Sequence, residues 1–374
     1  MYGLKHPLTG IGWYIHHLIR ELAKHNAIKQ LISIPRSDYD VTYEKKSFQS
    51  IIKKLIQCYS GSYDFLHNYY NFSFYKRNKY FSSENFIYHE PCYILRPYSG
   101  LKICSVHDLS HIYHPGLHPK GRVNFLLRYL PRSLSDADHI ITGSHAVCNE
   151  LRNYFKIPSK KITVIYHGVS TVFKKRQLLE VNPVLTRYGL SGKTYILSVG
   201  TLEPRKNLER LVQAFKQLPE HQRKQFPLVL VGLPGWGIGR LWKLIKQLIN
   251  KEELYCLGYV ASGDLPFLYS GAYGFVYLSL YEGFGLPLLE ALASAIPTLS
   301  SNTSSMSEVV GGIALLVNPL DVGAITDKLN QLLTDNFLRE KLKYQGPIQA
   351  AQFTWKKSVN KTVKVYQQVI ACSS

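Results

Sequence analysis

The sequence predicts an α/β protein built from two doubly wound parallel sheets. Short apolar runs alternate with amphipathic helical stretches, which is the rhythm of βαβ units. That rhythm fills the first half of the chain, breaks over residues 171–186 and restarts at Tyr195. A length of 374 residues leaves room for two full cores. Hydrophobic content of 45% against 19% charged residues is that of a folded chain, not a disordered one.

The chain opens with LTGIGWYIHHLIRELAKH. Gly10 and Gly12 are expected to form a loop ahead of an amphipathic helix with Tyr14, Ile15, Leu18, Ile19 and Leu22 on its apolar side. A glycine loop feeding a helix is a potential phosphate cradle, and it serves equally as a plain turn. Residues 31–35 read as a short strand. Residues 68–81, NYYNFSFYKRNKYF, mix aromatics with Lys76, Arg77 and Lys79. Such a stretch suits a membrane interface or a lipid-linked acceptor, a single-stranded nucleic acid, or a surface loop with some core tyrosines.

Residues 101–106 form an apolar strand followed by His107-Asp108-Leu109. Polar residues just past a strand's carboxyl end lie where open α/β sheets bind ligands. Residues 138–142 and 162–165 read as further buried strands, with a helix over 123–134 between the first two. The aperiodic segment 171–186 is the expected linker. Beyond it, strands are expected at 195–199, 228–231, 255–258, 275–278, 297–300 and 314–317, and a helix at 208–218. The first of these strands is followed by Gly200-Thr201-Leu202-Glu203-Pro204-Arg205-Lys206-Asn207. Two adjacent cations at a strand end can neutralise a diphosphate, Arg as a planar fork and Lys as a point charge. Residues 353–370 close the chain as a helix.

Residues 281–294 read YEGFGLPLLEALAS. Pro287 fits a first helical turn, where its missing N–H costs nothing. Leu288, Leu289 and Leu292 continue at helical spacing. The glycines of Glu282-Gly283-Phe284-Gly285 let a backbone approach a ligand, and the helix start favours an anion. Glu282 and Glu290, eight residues apart, would be separated by roughly 12 Å if all were helical. That spacing suits hydroxyl groups at both ends of one elongated ligand. A bent loop would bring the same two carboxyls into the range of a glycoside hydrolase pair, an alternative that the phosphate-suited Arg205-Lys206 and glycine loops oppose.

Together, GTLEPRKN, the Glu-x7-Glu stretch and the passage HEPCYIL…SVHDLSHIYHPGLH closely resemble the retaining family 4 glycosyltransferases of GT-B fold, and in particular bacterial O-antigen and surface-polysaccharide mannosyltransferases. The resemblance implies two Rossmann-like doubly wound domains facing a central cleft. These would be an acceptor-side domain over residues 1–175, completed by the crossover helix 353–374, and a nucleotide-sugar domain over 187–350. It implies sugar transfer from a nucleoside-diphosphate sugar with configuration retained and no metal. His107 would lie near the donor sugar, Glu282 would hold sugar hydroxyls, and Arg205 and Lys206 would stabilise the departing diphosphate. Glu290 would read the ribose, and Tyr259 and Val260 would border the base. Gly10, Gly12, Gly200, Gly283, Phe284, Gly285 and Leu286 would line the donor. GDP-mannose is the leading donor, and the acceptor is a lipid-linked glycan or other glycan. The chain departs from the family pattern at its start. Almost nothing precedes the Gly10 loop, so the family's first strand is expected to be absent or reduced to residues 2–4, which keeps a catalytically impaired remnant open as an alternative.

The net charge of +20 is uneven: residues 1–180 carry 25 Lys+Arg against 12 Asp+Glu, and the remainder 20 against 13. A basic first half suits a polyanion or an anionic membrane surface, here the inner face of the cytoplasmic membrane, with the enzyme otherwise cytoplasmic. No nucleic-acid module is recognisable, so nucleic acid is not expected as a partner. Six scattered cysteines without a CxxC pair suit reduced thiols and no zinc site. Neither a signal peptide nor an apolar run of membrane-spanning length is expected.

Overall fold

The computed structural model describes residue 8, residues 10–32, residue 71 and residues 86–373. Chain contacts divide it into two compact units, one of residues up to Tyr166 plus Lys356–Ser374, the other His167–Trp355. Both are α/β units with wholly parallel sheets.

In the first unit, β1 (Tyr88–Glu90), β2 (Lys102–Val106), β3 (His139–Thr142) and β4 (Ile162–Val164) pair in that order. Strand pleating sends alternate residues to opposite faces. Cys104 and Val106 of β2 meet Leu130 and Leu134 of helix Lys120–Asp136 and Val147 and Leu151 of helix His145–Phe155. Ile103 and Ile141 face the other way, onto Val365 and Val369 of helix Trp355–Ala371. The expected remnant of a first strand at residues 2–4 lies outside the described residues. So does the aromatic stretch 68–81, apart from residue 71.

The second unit holds β5 (Ile196–Val199), β6 (Leu228–Val231), β7 (Leu254–Gly258), β8 (Gly274–Tyr277), β9 (Thr298–Ser301) and β10 (Leu315–Val317). Their spatial order is β10-β9-β8-β5-β6-β7. On one face Leu211, Phe215, Ile245, Leu248, Leu329 and Leu332 pack against Ile196, Leu228, Val276 and Leu299. Helix Leu286–Ala293 packs on β8, β9 and helix Asn336–Ala350. The two helices approach closely at Gly346, where a Cβ would come 3.0 Å from the Leu292 carbonyl oxygen.

Two local expectations change. Gly10 and Gly12 do not form a loop before the first helix. They belong to helix Gly10–Leu22, in which Gly12 is buried. The buried side of that helix extends back to Gly12, and packing along it outweighs the low helix propensity of the glycines. The expected linker is partly helical: Leu178–Arg187 is a helix opened by a reciprocal capping box between Gln177 and Glu180. Among the described residues no helix is long and apolar enough to cross a membrane, and Cys92, Cys104, Cys256 and Cys372 are free thiols.

Candidate active site

The second unit's strand order reverses between β5 and β8. The chain leaves β5 toward β6 and β7, then returns on the other side of β5 through β8, β9 and β10. Loops leaving such a reversal diverge and open a crevice at the carboxyl ends of the strands, the usual ligand position in open α/β sheets. The loop after β5 carries Arg205 and Lys206 on the short turn Pro204–Lys206, and the loop after β8 carries Glu282.

The first loop is held by its neighbour. Leu202 N–H donates to the Leu233 carbonyl (2.9 Å) and Gly235 N–H to the Leu202 carbonyl (2.8 Å), tying it to the loop after β6. Gly232 permits the approach. Its φ is +152°, and a Cβ there would stand 1.9 Å from the Gly200 carbonyl oxygen. Gly200 lies under the Lys206 stem, with its own would-be Cβ 3.3 Å from Lys206 Cε.

The charged side chains form a closed cage. Arg205 donates from Nη2 and Nε to Glu203 Oε1 (2.7 and 3.1 Å) and from Nη1 to the Tyr281 carbonyl (2.9 Å). Arg205 Nη1 also lies 2.7 Å from Glu282 Oε2. Lys206 Nζ sits 2.6 Å from Glu282 Oε1 and donates to Tyr277 OH (2.7 Å), and Tyr277 OH donates to the same carboxylate oxygen (2.9 Å). Glu203 and Glu282 are both buried, so two carboxylates balance two cations away from water. Burial pushes the Glu282 carboxyl up, but Arg205 and Lys206 together overcome it and draw it down to about 2. Burial pulls the Lys206 ammonium down against the attraction of Glu282.

The Glu282 backbone is anchored separately. Its N–H donates to Ser304 Oγ (3.1 Å), and its carbonyl accepts from Ser304 Oγ and from Ser305 Oγ (2.8 Å). Ser305 Oγ also donates to the Phe284 carbonyl (3.0 Å). The Phe284 ring packs on His167 and Phe353, and Gly283 and Gly285 are buried beside it. Gly285, at φ +105°, caps helix Leu286–Ala293, in which Leu286 is the first residue and Pro287 lies in the first turn. Glu290, further along, accepts from Tyr269 OH at 2.8 Å. Burial raises its carboxyl to about 7, against the Tyr269 hydrogen bond. Tyr259 and Val260 follow β7, the first half exposed and the second buried.

Arg205, Lys206 and Glu282 therefore come together and face one another. Glu203, Tyr277, Ser304 and Ser305 were missed. Glu203 had a local signal, a carboxylate two residues from Arg205. Tyr277 reads as a core strand residue, and the serines lie over twenty residues from the carbonyls they hold.

His107 belongs to the first unit and follows β2 directly. Its Nε2 lies 2.7 Å from the Pro91 carbonyl oxygen, and its ring meets Tyr14 and Tyr93 edge-on at 4.8 and 5.6 Å. Burial lowers its pKa, so the ring is neutral at pH 7. A carbonyl only accepts, so the proton sits on Nε2. Gly10, at the start of helix Gly10–Leu22, is exposed, and a Cβ there would meet nothing within 4 Å. Among the described residues no three His, Cys, Asp or Glu side chains converge as a metal site requires.

Comparison with known proteins bears on both units. Residues 8–173 match the family model Glycosyltransferase Family 4, and residues 187–349 match Glycosyl transferases group 1. The chain is 34% identical over 371 residues to the O-antigen chain mannosyltransferase B of Escherichia coli, covering 97% of each. It is 29% identical over 277 residues to the serotype-specific mannosyltransferase WbdA of Escherichia coli, spanning 72% of this chain and 34% of that longer one. The crystal structure of WaaG, a glycosyltransferase involved in lipopolysaccharide biosynthesis, superposes with a TM-score of 0.71 at 14% identity over 96% of both chains, a likeness of fold.

Proposed function

This chain belongs to the family 4 glycosyltransferases and has the GT-B fold, and on that premise we propose that it is a retaining mannosyltransferase of O-antigen or related surface-polysaccharide assembly. The donor is GDP-mannose and the acceptor a lipid-linked or other glycan. What carries the reading is the cage of Arg205, Lys206 and Glu282 at the strand-order reversal. It holds two cations, desolvated and oriented, where a diphosphate would lie.

Departure of a nucleoside diphosphate builds negative charge on its oxygens. Cations fixed in advance stabilise that charge without reorganising. Glu203 grips Arg205 from the side, so the guanidinium keeps its orientation when Glu282 is displaced. The diphosphate competes with the Glu282 carboxylate for Arg205 and Lys206. Once released from them, Glu282 accepts hydrogen bonds from sugar hydroxyls. Glu290, with Tyr269 behind it, meets the ribose hydroxyls. His107 presents a neutral imidazole to the sugar-side chemistry. Attack on the face vacated by the leaving group, with a donor phosphate oxygen taking the acceptor proton, retains configuration and asks no metal of the chain.

The test is thermal stability against GDP, GDP-mannose, UDP and UDP-glucose, each with and without EDTA. A ligand that binds only the folded state raises the melting temperature by mass action. A rise with GDP and GDP-mannose that survives EDTA supports the proposal. A rise with uridine nucleotides alone replaces the donor. No rise with any nucleotide overturns the reading and restores the impaired remnant. Arg205→Ala should weaken GDP-mannose binding tenfold or more in the same titration, as loss of charge-assisted hydrogen bonds worth about 1.5–3 kcal/mol requires.

A further inference from the structure

A second polar network lies in the first unit, in contact with His107. His89 of β1 places Nδ1 2.7 Å from Tyr366 OH, on helix Trp355–Ala371, and Nε2 2.8 Å from Ser105 Oγ, on β2. Ser105 Oγ stands 3.0 Å from Tyr14 OH, on helix Gly10–Leu22. The Tyr14 ring then meets the His107 ring edge-on. Four groups from four elements thus form one chain, Tyr366–His89–Ser105–Tyr14, ending against the imidazole.

The chemistry of the chain is tightly specified. Burial lowers His89 to about 3, so its ring is neutral, with one nitrogen donating and the other accepting. Each hydroxyl contributes one proton. The protons can therefore order along the chain without setting two donors head to head. Tyr14 and Ser105 are themselves buried, and a buried polar network rigidifies its surroundings only when every member is satisfied. An apolar residue at position 89 or 105 would fill the space at less risk to folding. The donor-binding cage in the other unit makes no use of the network.

We propose that Tyr14, Ser105 and His89 are positioning residues for His107. The chain fixes the Tyr14 ring, the ring and the Pro91 carbonyl clamp the imidazole from two sides, and Tyr366 ties this arrangement to the C-terminal helix. The proposal rests on the assignment of His107 to the transfer reaction.

The test is steady-state transfer from GDP-mannose to a mannoside carrying a synthetic lipid tail, with melting temperature followed for every variant. His107→Ala tests the underlying assignment: unimpaired transfer would remove it, whatever the network does. With His107→Ala impaired, Tyr14→Phe and Ser105→Ala, which break the chain but spare the rings, should each lower kcat about tenfold and leave KM for GDP-mannose within about twofold, the signature of a misplaced group. Ser105→Thr keeps the hydroxyl and should restore kcat. Tyr14→Phe combined with Ser105→Ala should be no worse than either alone, because the two act through one chain. Parental kcat in Tyr14→Phe and Ser105→Ala overturns the proposal. So does a loss of activity that follows melting temperature alone, or one that Ser105→Thr fails to restore.

Discussion

Glu282 is pulled two ways, by burial toward the neutral acid and by two cations toward the carboxylate, and the cations win. The signs of two titrations follow. The Glu282 carboxyl lies below its unfolded value, so its contribution to stability is present above about pH 4.3 and is lost as pH falls toward 2. Glu290 lies above its unfolded value, at about 7. Its contribution is complete below about pH 4.3 and disappears as pH rises through 7. Glu290→Gln should therefore gain on the parent in urea midpoint between pH 5 and 7.5; a constant difference would place the Glu290 carboxyl outside that window. Glu282→Gln leaves Lys206 buried without its counter-charge, while Glu203 still pairs Arg205. It should cost about 3–5 kcal/mol at pH 7, as a broken buried pair does, and abolish transfer. Urea unfolding alongside an activity assay checks both; an unchanged midpoint would mean that the cage is open to water. The same pairing disfavours a glycosidase role, because both Glu282 oxygens are committed to cations.

At the level of elements, the cage depends on how closely β5 and β6 end beside each other. Gly232→Ala sets a Cβ against the Gly200 carbonyl and forces the two strand ends apart. It should destabilise the protein by about 3 kcal/mol or more and weaken GDP-mannose binding through Arg205 and Lys206. Gly239→Ala, at the start of helix Gly239–Asn250 with nothing within 4 Å of a Cβ, should do neither. Chemical denaturation and nucleotide titration of both variants check this; equal behaviour would refute the close-approach argument. The strands themselves were legible in the sequence, since strands buried on both faces read as continuous apolar runs, as at Leu228–Val231. The residues proposed to carry the chemistry stand out in the sequence too, because Arg205, Lys206 and Glu282 follow strands and Glu290 lies in the helix after Glu282. Their pairing does not, since Lys206 and Glu282 are 76 residues apart and meet only through the strand-order reversal. Gly10 and Gly12 misled because a glycine pair signals a loop locally, whereas the helix is fixed by what Tyr14, Ile15 and Leu18 bury. Helix Leu178–Arg187 hid behind weak periodicity, although its Gln177–Glu180 capping box lay in the sequence.

At the level of the whole molecule the net charge of +20 calls for a partner, and more of it falls in residues 1–180 than in the rest. A lipid-linked acceptor resides at a membrane, and no helix among the described residues is long and apolar enough to cross one. Electrostatic attraction to anionic lipid would hold a basic surface there, at about 1 kcal/mol for each Lys or Arg near the membrane. Such attraction fades within a Debye length, about 10 Å at 0.1 M salt and 3 Å at 1 M. The purified chain should therefore sediment with vesicles containing phosphatidylglycerol at about 0.1 M salt, leave them at about 1 M, and ignore vesicles of phosphatidylcholine alone. Binding that persisted in high salt would assign the attachment to inserted apolar side chains instead. Absence of binding at low salt would leave the acceptor's own glycan as the sole means of recruitment. Either result would separate the charge of residues 1–180 from acceptor capture, leaving it a property of the surface alone.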